Sequence, residues 1–118
     1  MKNTVAEKSY SFAIRIVNLY KYLSNEKKEF VLSKQLLRSG TAIGALIKEA
    51  EHAQSKADFL NKMNIALKEA NESGYWLMLL KDTTYLGIEE FDLINDDCTS
   101  IIKMLMSIVK TTKQNLKK

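Results

Sequence analysis

From Val5 almost to the C-terminus, apolar residues recur every three or four positions, the spacing that gathers side chains onto one face of an α-helix. The recurrence breaks only at short polar stretches, and no stretch shows the strict alternation of a strand. The chain contains no proline and only four glycines, so nothing in it breaks a helix by removing an amide donor. These features together confine the chain to an all-α fold built from a few long helices.

Four segments follow from the spacing. The first runs from about Val5 to Leu23 and carries two apolar stripes. One is Tyr10, Ala13, Val17 and Tyr20; the other is Phe12, Ile16, Leu19 and Leu23. Together they span a wider arc than a surface helix of a monomer needs. Phe12, Ile16, Leu19 and Leu23 are therefore the candidates for a seam with another copy of the chain. The polar break Ser24 to Lys28 precedes a second helix from about Glu29 to Ala53, with Leu36, Ile43 and Ile47 on its apolar face. Gly40 and Gly44 sit one turn apart inside it, each costing about 1 kcal/mol relative to alanine. Charged neighbours (Lys34, Arg38, Lys48, Glu49) exclude a membrane dimer motif. Close approach of another helix backbone is the expected reason for both glycines, and for Gly74 in the third helix.

That third helix is expected from about Lys56 to Tyr85, opened by Ser55 and Asp58 in a weak form of the capping box. Gly87 is the expected left-handed stop. The fourth runs from about Glu89 to Lys113, and its charges are sorted. Glu89, Glu90, Asp92, Asp96 and Asp97 fill the first half; Lys103, Lys110 and Lys113 fill the second, with Lys117 and Lys118 beyond. Complementarity to the helix dipole is one reason for such sorting; a basic surface for nucleic acid is the other, with these five lysines as its candidates. Short connections force neighbours to run antiparallel, which gives an antiparallel up-down-up-down four-helix bundle as a single domain over residues 1–118.

Catalytic chemistry finds little to work with. His52 is the sole histidine, so a di-iron site built from two Glu-x-x-His pairs fails even though Glu49 and His52 have the spacing. No phosphate loop is present. Cys98 lies on an apolar stripe, as a small buried hydrophobe does, and a single cysteine allows no internal disulfide. No enzyme activity, cofactor, metal or small-molecule substrate is expected. The polar segment Met1 to Tyr10 lacks an apolar signal core, and no apolar run reaches membrane-spanning length, so a cytoplasmic protein without membrane contact is expected. A net charge of +4 allows an anionic partner without requiring one.

Two polar sets interrupt the apolar faces: Gln35 and Arg38 on the second helix, Glu69 and Glu72 on the third. Arg38 is expected to pair across the bundle with Glu69 or Glu72. If that pair were buried, removing Arg38 would cost about 3–5 kcal/mol.

The blocks Gln35-Leu36-Leu37-Arg38-Ser39-Gly40-Thr41-Ala42-Ile43-Gly44, Ala53-Gln54-Ser55-Lys56-Ala57-Asp58-Phe59 and Ile65-Ala66-Leu67-Lys68-Glu69-Ala70-Asn71-Glu72, with Glu49-Ala50 and Tyr75-Trp76-Leu77, resemble the bacterial four helix bundle protein family, whose members were first noticed in intervening sequences of the 23S rRNA gene. The resemblance extends from Ser11 to about Lys113. It implies an antiparallel bundle that assembles as a homopentameric barrel. One relative, associated with diversity-generating retroelements, is a basic accessory protein that binds nucleic acid. This implies RNA or DNA as a partner here, with a purely structural protein–protein scaffold as the alternative. Ala42 and Leu46 stand where the family often carries serine and asparagine, and Lys48 takes a commonly acidic place, so the surroundings of Arg38 are expected to be drier.

Overall fold

The computed structural model describes residues 4–117 and holds four α-helices: α1 (Val5–Asn25), α2 (Leu32–Ala50), α3 (Lys56–Asp82) and α4 (Ile88–Leu116). Each packs against its neighbour in the chain, and α1 closes the ring against α4. The result is an elongated antiparallel four-helix bundle, 51 × 26 × 21 Å. The contact between α1 and α4 is the least extensive of the four.

Local chemistry sets the helix ends. Thr4 caps α1: its hydroxyl accepts from the Glu7 N–H at 3.1 Å, and the Glu7 carboxylate accepts from the Thr4 N–H at 3.3 Å. α2 begins at Leu32, three residues later than its spacing suggests. The reason is Glu29, whose buried carboxylate accepts from the N–H groups of Val31 (3.1 Å), Leu32 (2.9 Å) and Ser33 (2.7 Å). A side chain that caps three amides cannot also sit in the helix, and the chain reaches it through Lys28 at φ 56°. Burial alone raises the Glu29 pKa, but these backbone donors outweigh it and hold the group below the ordinary carboxylate value. α2 stops at Ala50, short of Ala53, as His52 and Ala53 bond back only three residues, to Glu49 and Ala50.

Ser55 caps α3 by accepting from the Asp58 N–H at 3.0 Å, and Asp58 returns a bond to the Gln54 N–H, one residue earlier than in a full capping box. α3 ends at Asp82 rather than Tyr85. The Tyr85 N–H bonds Leu80 O and the Thr84 N–H bonds Lys81 O, which is a Schellman closure with Thr84 as its left-handed residue, at φ 67°. Gly87 is therefore not the left-handed stop; at φ −70° it is the extended N-cap of α4.

The interior is a single apolar cluster from all four helices, including Phe12, Ile16 and Leu23 of α1, Leu36 and Ile43 of α2, Leu77 and Leu80 of α3, and Ile101 and Leu105 of α4. This corrects one expectation: Phe12, Ile16, Leu19 and Leu23 are between 0% and 8% exposed within one chain, so they form its core and not a seam between chains. Each such side chain stabilises the bundle by about 1.5–3 kcal/mol through burial, so the core claims them first.

The glycines divide. An added Cβ at Gly40 would lie 2.9 Å from two carbons of Ile16, and one at Gly44 would lie 3.4 Å from Ser9 Oγ, so both admit α1 closely. At Gly74 the nearest atom would be Cys98 Sγ at 3.8 Å, an ordinary contact. Close packing is thus the reason for Gly40 and Gly44 and not for Gly74.

Candidate functional site

Arg38 projects from α2 toward α3 because it stands one residue before Ser39, which is buried and lies with its Oγ 3.0 Å from that of Ser73. Its guanidinium meets two carboxylates that stand three residues apart, just under one turn, on α3. Nη2 donates to Glu72 Oε2 at 2.5 Å and Nη1 to Glu69 Oε2 at 3.3 Å. Trp76 Nε1–H donates to the same Glu72 oxygen at 3.2 Å, and Trp76 packs edge-on against Tyr75 at 5.0 Å. The Trp76 hydrogen bond first, then Arg38, lowers the Glu72 pKa against the opposing effect of burial. The hydrogen bonds that Arg38 donates to Glu69 and then to Glu72 raise its own pKa.

The pairing is as the sequence suggests, but its setting is not. The Arg38 side chain is 52% exposed and that of Glu72 30%, so the cluster is a surface clasp between α2 and α3 and not a buried ion pair. Glu69 is the most enclosed member at 12%; its Oε1 lies 3.3 Å from Arg38 Nη2 yet is buried without a hydrogen bond. Gln35 is exposed and makes no side-chain hydrogen bond to the cluster among the described residues. Trp76, Ser39 and Ser73 take the places around Arg38 instead. Their signal was the four-residue spacing of Glu72 and Trp76, and of Glu69 and Ser73.

The apolar surface left over lies elsewhere. With Phe12 and Ile16 turned inward, the opposite side of α1 presents Tyr10 (70% exposed), Ile14 (49%) and half-buried Val17, followed by Lys21, at spacings of four, three and four. Between this stripe and α2 runs a groove of about 820 Å³. Small residues border it, among them Ala6 and Ala13 of α1 and Gly44 and Ala45 of α2. A second, smaller groove of about 430 Å³ opens between α1 and α4 around Tyr22 and Leu93. The sequence held part of the signal: Tyr10 and Val17 belong to one of the two apolar stripes read on α1, whereas Ile14 belongs to neither stripe, and Ala13 and Tyr20 are half-buried.

On α4 every acidic residue from Glu89 to Asp96 is exposed, and Asp97 pairs with Arg15 of α1. Lys103, Lys110, Lys113 and Lys117 are all exposed, and none makes an ion pair among the described residues; Lys118 lies outside them. The Arg15–Asp97 pair fixes how far α4 extends. Val5 lies ten residues below Arg15 and Lys110 thirteen beyond Asp97, so at 1.5 Å per residue they sit about 15 and about 20 Å down the bundle. Lys110, Lys113 and Lys117 therefore stand beyond the start of α1.

Cys98 is sealed in the core at 1% exposure, its thiol donating to Ala70 O at 3.3 Å. Burial first, then the nearby Asp97 carboxylate, pushes its pKa up to about 11, which holds it as the unreactive thiol. His52 is exposed in the turn after α2. Among the described residues no three histidine, cysteine or carboxylate side chains come together as a metal-holding group, and no helix is long and apolar enough to cross a membrane.

Antiparallel helices around one core, a polar clasp between α2 and α3, and an outward apolar stripe on α1 define a small four-helix-bundle protein with surface to spare. The profile of the 23S rRNA-intervening sequence protein family matches residues 1–107, and the chain belongs to that family. A crystal structure of a protein of unknown function from the S23 ribosomal protein family of Bacteroides thetaiotaomicron VPI-5482 is similar to it. The two are 64% identical with a TM-score of 0.90, over 91% of this chain and 99% of that one. No curated protein matches the sequence.

Proposed function

We propose that the protein is a non-enzymatic module that assembles with copies of itself and binds nucleic acid through the lysine-bearing end of α4. The observation that carries this is the overhang of α4, where Lys110, Lys113 and Lys117 stand exposed and without ion pairs among the described residues. A single copy is a weak polyanion binder at +4. Assembly into a ring would bring these lysines from every copy to one rim, and the family resemblance favours five copies. The unspent apolar stripe of α1 supports assembly, since an exposed contiguous patch of this kind marks an interaction surface. The sealed, raised thiol of Cys98 supports the non-enzymatic part of the reading.

The test is fluorescence anisotropy with labelled single-stranded RNA and duplex DNA, titrated with salt. Binding should weaken steeply as salt rises, with a log–log slope of about −0.7 for each phosphate contacted on a single strand. Replacing Lys110, Lys113 and Lys117 by glutamate should abolish it. If neither nucleic acid binds the assembled protein at low salt, the nucleic-acid part of the reading fails. The stripe of Tyr10, Ile14 and Val17 would then favour a purely structural scaffold.

A further inference from the structure

The two ends of the bundle are unlike. At the end where α1 finishes and α4 begins, large apolar side chains stand in the open: Phe30 (54% exposed) and Val31 (70%) between α1 and α2, and Ile88 (70%) where α3 gives way to α4. At the other end the turn between α2 and α3 exposes Glu51, His52, Gln54 and Ser55. Phe30, Val31 and Ile88 take no place in the core cluster. Nor does Val31 serve its helix. It is the N-cap residue of α2 and makes no side-chain hydrogen bond there, at a position that favours serine, threonine, aspartate or asparagine. Glu29 caps the amides of α2 instead.

The same two turns carry opposite charge. Between α1 and α2, Lys27 and Lys28 outnumber the one exposed carboxylate, Glu26. At the start of α4 stand Glu89 and Glu90, while Asp82 at the end of α3 is paired with Lys81. Lys27, Lys28, Glu89 and Glu90 are exposed and make no ion pair among the described residues. The dipoles of α1 and α4 favour cations after the one and anions at the start of the other. The helices pack in the cyclic order α1, α2, α3, α4, so the two turns cross opposite edges of this end. One edge is basic, the other acidic, and both are apolar.

We infer that this end docks the same end of a second copy. A two-fold axis perpendicular to the helices lays the α1–α2 edge of each copy over the α3–α4 edge of the other. Lys27 and Lys28 then meet Glu89 and Glu90 twice, and Phe30, Val31 and Ile88 leave water. The alternative two-fold, which lays each turn over its own counterpart, sets lysine against lysine and carboxylate against carboxylate, so charge selects between the two arrangements. The contact is isologous and closes at two. In cross-section the bundle measures 26 × 21 Å, so the pair buries on the order of 1,000 Å², the lower bound for a specific interface. The contact is therefore weak and concentration-dependent. It uses no outward helix face, stands apart from the side-by-side assembly and nucleic-acid binding proposed above, and leaves the α4 lysines at both extremities of the pair.

Sedimentation velocity over a concentration series tests this, with circular dichroism confirming that each variant folds; all the altered side chains are exposed. At the top of the series wild type should have twice the mass of three variants. Val31→Asp suits an N-cap but sets a charge in the contact. Lys27→Glu with Lys28→Glu, and separately Glu89→Lys with Glu90→Lys, bring like charges together. The four charge changes in one chain leave the net charge as it was and should restore the doubled mass, because each reversed edge again faces its opposite. A wild type whose mass matches that of the three variants throughout the series would overturn the inference and leave the side-by-side assembly and the nucleic-acid reading standing. Doubling that survives either charge reversal, or that the combined chain does not recover, would overturn it as well, by assigning the contact to another surface.

Discussion

Gly40 and Gly74 each follow a buried serine inside a helix, yet the contacts around them differ in kind. At Gly40, α1 comes so near that a methyl group would collide with the branched carbons of Ile16. At Gly74, α4 stands far enough away for a Cβ to meet Cys98 Sγ at an ordinary distance. The α1–α2 contact is built on missing side chains, whereas the α3–α4 contact is built on side chains that are present, including Cys98 and its hydrogen bond to Ala70 O. A glycine inside a helix therefore signals close approach only when a neighbour is there to claim the space.

The sharpest way to break this comparison is Gly40→Ala. The clash involves the Cβ-proximal atoms of a β-branched residue in the centre of the core, which cannot swing aside. Overpacking of this kind costs about 1–3 kcal/mol, offset by up to about 1 kcal/mol of helix propensity. A net destabilisation of about 1–2 kcal/mol is expected in urea unfolding. A variant as stable as wild type would mean that α1 can shift, and that the contact is not set by Gly40.

Glu29 tests how α2 is positioned in the first place. Glu29→Ala removes the acceptor from three backbone N–H groups, one of them the amide of buried Ser33, for an expected loss of about 1–2 kcal/mol. A pH dependence accompanies it. The folded-state pKa of Glu29 lies below its unfolded value, so its contribution is present above the unfolded carboxylate pKa and disappears as pH falls through the folded one. Stability of the wild type relative to Glu29→Ala should shrink on acidification below about pH 4.5, the unperturbed value. Parallel pH–stability curves for the two proteins would remove Glu29 from this role.

The other side of α2 offers a third kind of contact, in which a surface clasp replaces both glycine and core. Half-exposed Arg38 brings the expected cost of Arg38→Ala down from the several kcal/mol of a broken buried pair to about 1 kcal/mol. Partly enclosed Glu69 keeps it from falling to zero. A loss above about 3 kcal/mol in chemical unfolding would restore the buried-pair view.

How much of this was legible in the sequence follows from the same contacts. The four helices, their order and the Arg38–Glu69–Glu72 pairing were readable, because three-and-four spacing and opposite charges in an otherwise apolar setting are local signals. Three things were not. Which stripe of α1 faces inward depends on what α2 and α4 offer it, and both stripes are apolar. The start of α2 depends on Glu29 folding back onto its own chain, whereas the sequence ends the polar break at Lys28 and reads Glu29 as the first helical residue. The exposure of Arg38 depends on how far the rim of α2 stands from α3, which no spacing encodes. Of the two candidate surfaces, the lysines of α4 were visible as a charge run. The groove beside Tyr10 and Ala45 arises only when two helices meet.

Gly74→Ala is the counterpart of the first experiment and the smallest effect. The new Cβ would make van der Waals contact with Cys98 Sγ, the position is half-buried, and its backbone is already helical. Nothing opposes the gain that alanine brings by restricting the unfolded chain and favouring the helix. Unfolding should therefore shift in the stabilising direction by about 0.5–1 kcal/mol, opposite in sign to Gly40→Ala. Measured side by side, the pair separates two explanations of glycine in this bundle. Opposite signs mean that close approach is confined to the face α2 turns toward α1. Two destabilised variants would mean that α4 also settles against α3 more tightly than a 3.8 Å contact allows, and the distinction between the two halves of the molecule would be lost.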